Sequence, residues 1–209
     1  MNRIQIKELA KSKIKGNKWN ILWPLLIISV IETILFRLFG PKIDYTNLES
    51  ITNITPSAND GIMFVINILI GIITAGYMMY ILNFVRKGEF NSDAIINTVK
   101  EKWLNILIAE ILTSIIIGIC AMLLVIPGII MALAYAMVTF IIIDTDKSAV
   151  DAMKASREMM KGHKWEFFVF GLSFIGWALL VPFTLGLLLI WLIPYIMVAT
   201  TIYYDNLSK

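Results

Sequence analysis

Apolar and polar positions along this chain alternate on the scale of a bilayer rather than of a soluble core. Trp103 to Ile143 is 41 residues with one charge, Glu110, and Phe167 to Tyr204 is 38 residues with none. At about 1.5 Å per residue, a 41-residue helix would measure roughly 60 Å, twice a hydrocarbon core of about 30 Å. Each run must fold back once, the first at Pro127-Gly128 and the second near Pro182 to Gly186. Two more apolar stretches, about 19 to 39 and Gly61 to Val85, bring the predicted crossings to six. The first ends at Gly40-Pro41 and the second at Arg86-Lys87-Gly88. Residues 41 to 60 between them read as a solvated loop, with a glycosylation sequon, Asn53-Ile54-Thr55, that would be idle in a bacterium. The fourth crossing, about Gly128 to Ile143, is short enough to need little tilt or a locally thinned bilayer.

Three amphipathic segments precede the paired crossings. In residues 4 to 15, Ile6, Leu9, Ala10 and Ile14 share one helical face and Lys7, Lys11 and Lys15 the other, as in a helix lying on anionic head groups. Ser92 to Lys102 is the second, with Ala94, Ile95, Ile96 and Val99 apolar. Ser148 and Asp151 form a capping-box pattern that opens the third, and Gly162 stops it beyond Lys161. Ala149, Met153 and Met160 make its apolar stripe, and Lys154 and Glu158 are spaced i, i+4 on its wet side.

Composition agrees with this layout. The chain is 58% hydrophobic and 16% charged, where soluble domains carry about a quarter charged residues. The first apolar segment follows a long basic stretch and lacks a small-residue cleavage site, so it reads as a retained crossing rather than a signal peptide. Cys120, the one cysteine, lies in an apolar run, which excludes an intramolecular disulfide and points to packing. Sixteen of 18 Lys and Arg fall in connections on one side, and only Arg37 and Lys42 on the other. The positive-inside rule then places both termini in the cytoplasm. Lys7, Lys11 and Lys15 lie within reach of a membrane surface, so lipid and not nucleic acid is their expected partner.

The pattern also repeats. Lys15-Gly16-Asn17-Lys18-Trp19 recurs as Lys161-Gly162-His163-Lys164-Trp165 and more loosely as Lys100-Glu101-Lys102-Trp103. Each copy follows an amphipathic segment and precedes two crossings, the second carrying Tyr-x-Met at Tyr77, Tyr135 or Tyr195. The expected fold is therefore an all-α, polytopic membrane helix bundle: six transmembrane helices in three pseudo-repeated hairpins, each preceded by an amphipathic cytoplasmic surface helix. The chain 1–209 is one integral membrane domain, with pseudo-repeats 1–88, 91–144 and 147–205 whose common direction puts any symmetry axis along the membrane normal.

The second half carries a further pattern: Pro127-Gly128, Tyr135, Asp144, Ser148-Ala149, Ala152, Ser156-Arg157, Met160-Lys161-Gly162, Leu172 to Trp177, Pro194-Tyr195 and Tyr203-Tyr204. It resembles a family of small integral membrane proteins of Gram-positive bacteria known only as a domain of unknown function. In layout it is also similar to the membrane domain of some bacterial glycerophosphodiester phosphodiesterases. The resemblance is specific over about 125 to 204 and weaker before. It implies six crossings in a bacterial plasma membrane and supplies no catalytic residues.

A carboxylate inside a bilayer is costly and normally faces protein or water. Glu32 lies roughly 20 Å beyond Trp19, flanked by Ser29 and Thr33, and Glu110 roughly 10 Å beyond Trp103, on a face that continues through Ser114 and Gly118. The second crossing offers Asn67, Gly71 and Ala75 at small-residue spacing. Glu32, Glu110, Asn67 and Ser114 are the candidate substrate-binding residues, expected to meet in one intramembrane polar seam. A duller reading of both acids is structural, with Glu110 reaching an interfacial lysine. His163 sits in a basic turn and reads as interfacial. Glu89, Asp93, Asp144 and Asp146 read as helix ends and caps. No phosphate loop, zinc-binding helix, nucleophile elbow or cysteine pair is present, so no cofactor, metal or catalytic residue is assigned. The expectation is a non-enzymatic binding, transport or transport-accessory protein that handles a lipid or membrane-active peptide. A scaffold or immunity protein binding another membrane protein, and an enzyme acting on lipid head groups, are the alternatives.

Overall fold

The structure is a computed structural model that describes residues 2–40, 58–184 and 186–209. The expected outer loop and its sequon fall mostly on 41–57, outside the described residues. Those described are α-helical, without a strand. In order they form α1 (Arg3–Ile14), α2 (Lys18–Phe39), α3 (Ala58–Lys87), α4 (Asp93–Leu123), α5 (Val125–Ala134), α6 (Val138–Asp144), α7 (Ala149–Met159), α8 (Lys164–Leu172), α9 (Ile175–Ala178), a 3-10 turn Pro182–Thr184, and α10 (Leu187–Leu207).

Among the described residues, five stretches are long and apolar enough to cross a membrane: Lys18–Phe39, Gly61–Lys87, Asp93–Leu123, Val125–Asp144 and Leu187–Leu207. The stretch expected as the fifth crossing is instead segmented into α8, α9 and the 3-10 turn. Gly171, Ser173 and Gly176 are poor helix formers, and the Ser173 hydroxyl is spent on the Phe170 carbonyl. The hairpin between α4 and α5 also breaks earlier than expected. Leu124 is the extended residue, and Pro127 falls in the first turn of α5, where its missing N–H orphans nothing. The return leg Val125–Asp144 is broken again at Tyr135 to Met137. There the buried Ser156 hydroxyl of α7 donates to Ala134 O (2.8 Å) and accepts from Met137 N (3.3 Å), satisfying groups the break exposes.

Gly16 and Gly162 adopt φ of +94° and +85°, the left-handed region that glycine enters without a Cβ penalty. Each turns the chain from an amphipathic helix into an apolar one, α1 into α2 at Gly16 and α7 into α8 at Gly162. Lys100-Glu101-Lys102 has no such glycine, so the second amphipathic segment and the third crossing form one 31-residue helix, α4, rather than the two expected elements.

The apolar face of α1 is covered by protein, not by lipid head groups as its sequence suggests. Ile6 and Ala10 are fully buried and Ile14 nearly so, because α1 packs on α10. In the same manner α7 packs on α6, and the start of α4 lies on α3, where Gly76 leaves room for Ile95. The Ser148 cap accepts from Asp151 N as expected, and Ala149, Met153 and Met160 are buried, while Lys154 pairs with Asp151 (3.8 Å) rather than Glu158. Pro24 in α2 cannot donate to Asn20 O, and Tyr80 supplies the bond instead, its hydroxyl 2.7 Å from that carbonyl.

Candidate functional site

A groove of about 580 Å³ runs between α3 and α4, lined by Phe64, Asn67, Ile68, Gly71, Glu110, Ile111, Ser114 and Ile115. Asn67 and Gly71 lie one turn apart on α3, and Glu110 and Ser114 one turn apart on α4, so each helix turns one short polar stripe to the other. Gly71 is what lets the carboxylate in: a Cβ there would stand 2.7 Å from Glu110 Oε2. No side-chain hydrogen bond or ion pair of Glu110 is found among the described residues. The Asn67 amide donates to Met63 O (2.7 Å), which leaves its carbonyl oxygen open to a donor. Phe64, Ile111 and Ile115 are exposed, so the groove is reached from the apolar flank of the bundle.

Three of the four expected residues, Asn67, Glu110 and Ser114, therefore come together, and Glu32 does not. Glu32 is exposed on α2 and borders a second cavity of about 400 Å³ with Ser29, Ile70, Thr74 and Ile193 among its walls. The single seam expected from sequence is thus two separate sites. The Ser29 and Thr33 hydroxyls bond to Leu26 O (3.0 Å) and Ser29 O (2.7 Å) of their own helix, so they do not extend the polar stripe.

The strongest polar network lies elsewhere. Arg86, at the end of α3, donates Nε to Asp205 (2.6 Å) and grips Asp144 with Nη1 and Nη2, the latter at 2.9 Å. Tyr204 donates to the same Asp144 (2.8 Å), and Lys209 pairs with Asp205 (2.9 Å). Asp144 thus ends α6 as its sequence position suggests, but its carboxylate clamps Arg86 rather than capping the next helix, which Ser148 does. A signal for this was present: Arg86, Asp144 and Tyr204 each lie nine residues after Tyr77, Tyr135 or Tyr195. Asp146, by contrast, is exposed, 3.4 Å from Lys102.

Several lysines close helix ends, among them Lys7, which its sequence position places toward lipid. Lys102 donates to Ile142 O, Ile143 O and Thr145 O (3.1, 3.2 and 2.7 Å), and Lys13 to Val85 O (3.0 Å). Lys7 donates to Ser173 O (3.0 Å) and lies 4.3 Å over the Phe174 ring. Burial, with Lys11 and Arg3 nearby, lowers its pKa from the ordinary lysine value. His163 is 3.5 Å from Glu166 on the surface. No group of three or more His, Cys, Asp or Glu placed to hold a metal is found among the described residues.

A model of the family described as "Protein of unknown function (DUF975)" matches residues 1–127 and 119–209, two stretches that overlap across the α4–α5 break. No curated protein and no solved structure matches the chain. With the family model spanning the whole length, the chain belongs to the DUF975 family, and its long apolar helices make it a multi-pass membrane protein.

Proposed function

We propose that this protein is a non-enzymatic binding, transport or transport-accessory protein of a bacterial plasma membrane, handling an amphiphile such as a lipid or membrane-active peptide. The observation that carries the proposal is the Glu110 groove: apolar walls, a carboxylate without a partner among the described residues, an amide oxygen of Asn67 likewise open among them, and an approach from the lipid side. Such a site suits a ligand with an apolar body and a cationic or hydrogen-donating head. The apolar part would stay in the hydrocarbon while the head displaces water from Glu110.

The layout behind this reading is three units of one kind, 1–88, 91–144 and 147–205, with both termini cytoplasmic and six passages through the bilayer. The fifth passage in this scheme is the segmented stretch from Lys164 to Thr184, the outward leg of the last hairpin. The packing of each amphipathic segment on the return helix of the preceding unit supports it, with α1 on α10 closing the ring. So does the meeting of Arg86, Asp144 and Tyr204, one from each unit.

The test is mass spectrometry of small molecules retained when the protein is extracted in native lipid discs. Wild type should retain a specific amphiphile, and Glu110→Gln and Gly71→Val should lose it with folding intact. Recovery of bulk lipid alone from wild type would overturn the proposal.

A further inference from the structure

A second site, independent of the Glu110 groove, lies where α1 meets α10. A cavity of about 310 Å³ is lined by Lys11, Ile14, Lys15, Lys18 and Trp191. Three of its five lining residues are cationic and none is acidic. None of these ammoniums forms an ion pair among the described residues, whereas Lys7 and Lys13, on the same helix, are spent on carbonyls. Three like charges around one hollow repel, and an anion relieves that repulsion.

The floor of the cavity says which kind of anion. Ile14 is buried, and Trp191 belongs to an aromatic run with Trp177 (5.5 Å) and Tyr195 (4.9 Å). Indole rings at a cationic rim are the pattern of the head-group layer of a bilayer. The charge pattern also recurs: Arg157, Met160, Lys161 and Lys164 stand 146 residues after Lys11, Ile14, Lys15 and Lys18, and Met160, like Ile14, is buried. The middle unit lacks it, with Ile96 at the first position and Lys102 committed to carbonyls.

We propose that the Lys11, Lys15 and Lys18 cavity seats the phosphate of an anionic phospholipid, with Trp191 against its glycerol end. The full-length protein is reconstituted in discs of equimolar phosphatidylglycerol and phosphatidylcholine, and lipid retained after release is counted by native mass spectrometry. Wild type should hold phosphatidylglycerol over phosphatidylcholine, and Lys11→Gln, Lys15→Gln, Lys18→Gln combined should weaken that hold about a hundredfold, since each surface cation is worth about a fivefold factor. Replacing the same three lysines by arginine should restore it, which separates lost charge from lost folding. Trp191→Leu should weaken it less, and Glu110→Gln should leave it unchanged.

Equal retention of both lipids by wild type would overturn the proposal. So would an equal loss when Lys100, Lys147 and Lys154 are neutralised instead, because any three cations would then serve. Complete displacement of the lipid by inorganic phosphate would overturn it in favour of a soluble anion.

Discussion

The two ends of this bundle are built on different principles. In the most apolar stretches of α2 and α4 only 11% of residues are buried inside the protein, against 50% in Val125–Asp144 and Leu187–Leu207. Tyr77, Ile81, Phe140, Ile142, Ala199 and Tyr204 are closed off almost completely, while Met122 and Ile126 at the α4–α5 tip are 91% and 71% exposed. The packed end holds the aromatic stacks, such as Phe140 on Tyr204 (4.9 Å), together with the Arg86 clamp and the amphipathic helices. The open end is apolar surface whose solvent is hydrocarbon, and lipid tails give exposed Ile and Leu no reason to seek each other. Stability is therefore concentrated at one end, and the Glu110 groove lies where side chains are free to admit a guest.

That contrast can be broken by mutation. The largest expected effect is from Arg86→Leu, which strips Asp144 of its cation and leaves Asp205 with Lys209 alone. A buried pair broken this way costs about 3–5 kcal/mol, and the 34% exposure of Arg86 brings the expectation to about 2–3 kcal/mol. Unfolding titrations in mixed micelles measure it. Next is Ser156→Ala, which orphans Ala134 O and Met137 N at a fully buried position and should cost about 1–3 kcal/mol. Ile119→Ala in the exposed part of α4 should stay within about 0.5 kcal/mol by the same titration, even though it removes more atoms. A similar loss from both would erase the distinction between the ends.

Smaller effects sharpen it. Gly162→Ala should cost about 1 kcal/mol because φ is +85°, whereas Gly118→Ala, in an open helical position, should be neutral or slightly stabilising. The smallest effect is one of pH. Folding lowers the Lys7 pKa, so between that lowered value and 10.5 the unfolded chain binds more protons than the folded one. Stability should rise as pH climbs through this window, and Lys7→Met should remove that part of the slope.

How much of this the sequence carried follows from the kind of signal each feature leaves. Gly16 and Gly162 were legible because a turn at a fixed place in a repeated motif needs a specific residue. The break at Leu124 was not, because Pro127 is a comfortable first-turn residue and marks the helix it begins rather than the turn before it. Glu110 meeting Asn67 and Ser114 followed from helical spacing on charge-poor segments. Placing Glu32 with them did not follow, because a uniformly apolar helix carries too little amphipathic bias to fix its rotation about its own axis. The destinations of Lys7, Lys13 and Lys102 were hidden for a simpler reason: a lysine's charge is visible in sequence, and the carbonyl it reaches is set by tertiary packing.

The unbroken α4 has a mechanical meaning. A helix of 31 residues is about 46 Å long, and with Gly118 helical rather than left-handed it has no turn along its length and behaves as a stiff beam. Its first turns bear on α3 at Gly76, Lys102 holds it within its first third, and Glu110 rides beyond that fulcrum. A guest that pries the carboxylate away from Gly71 would thus be registered, as a tilt, at the opposite tip of the same beam.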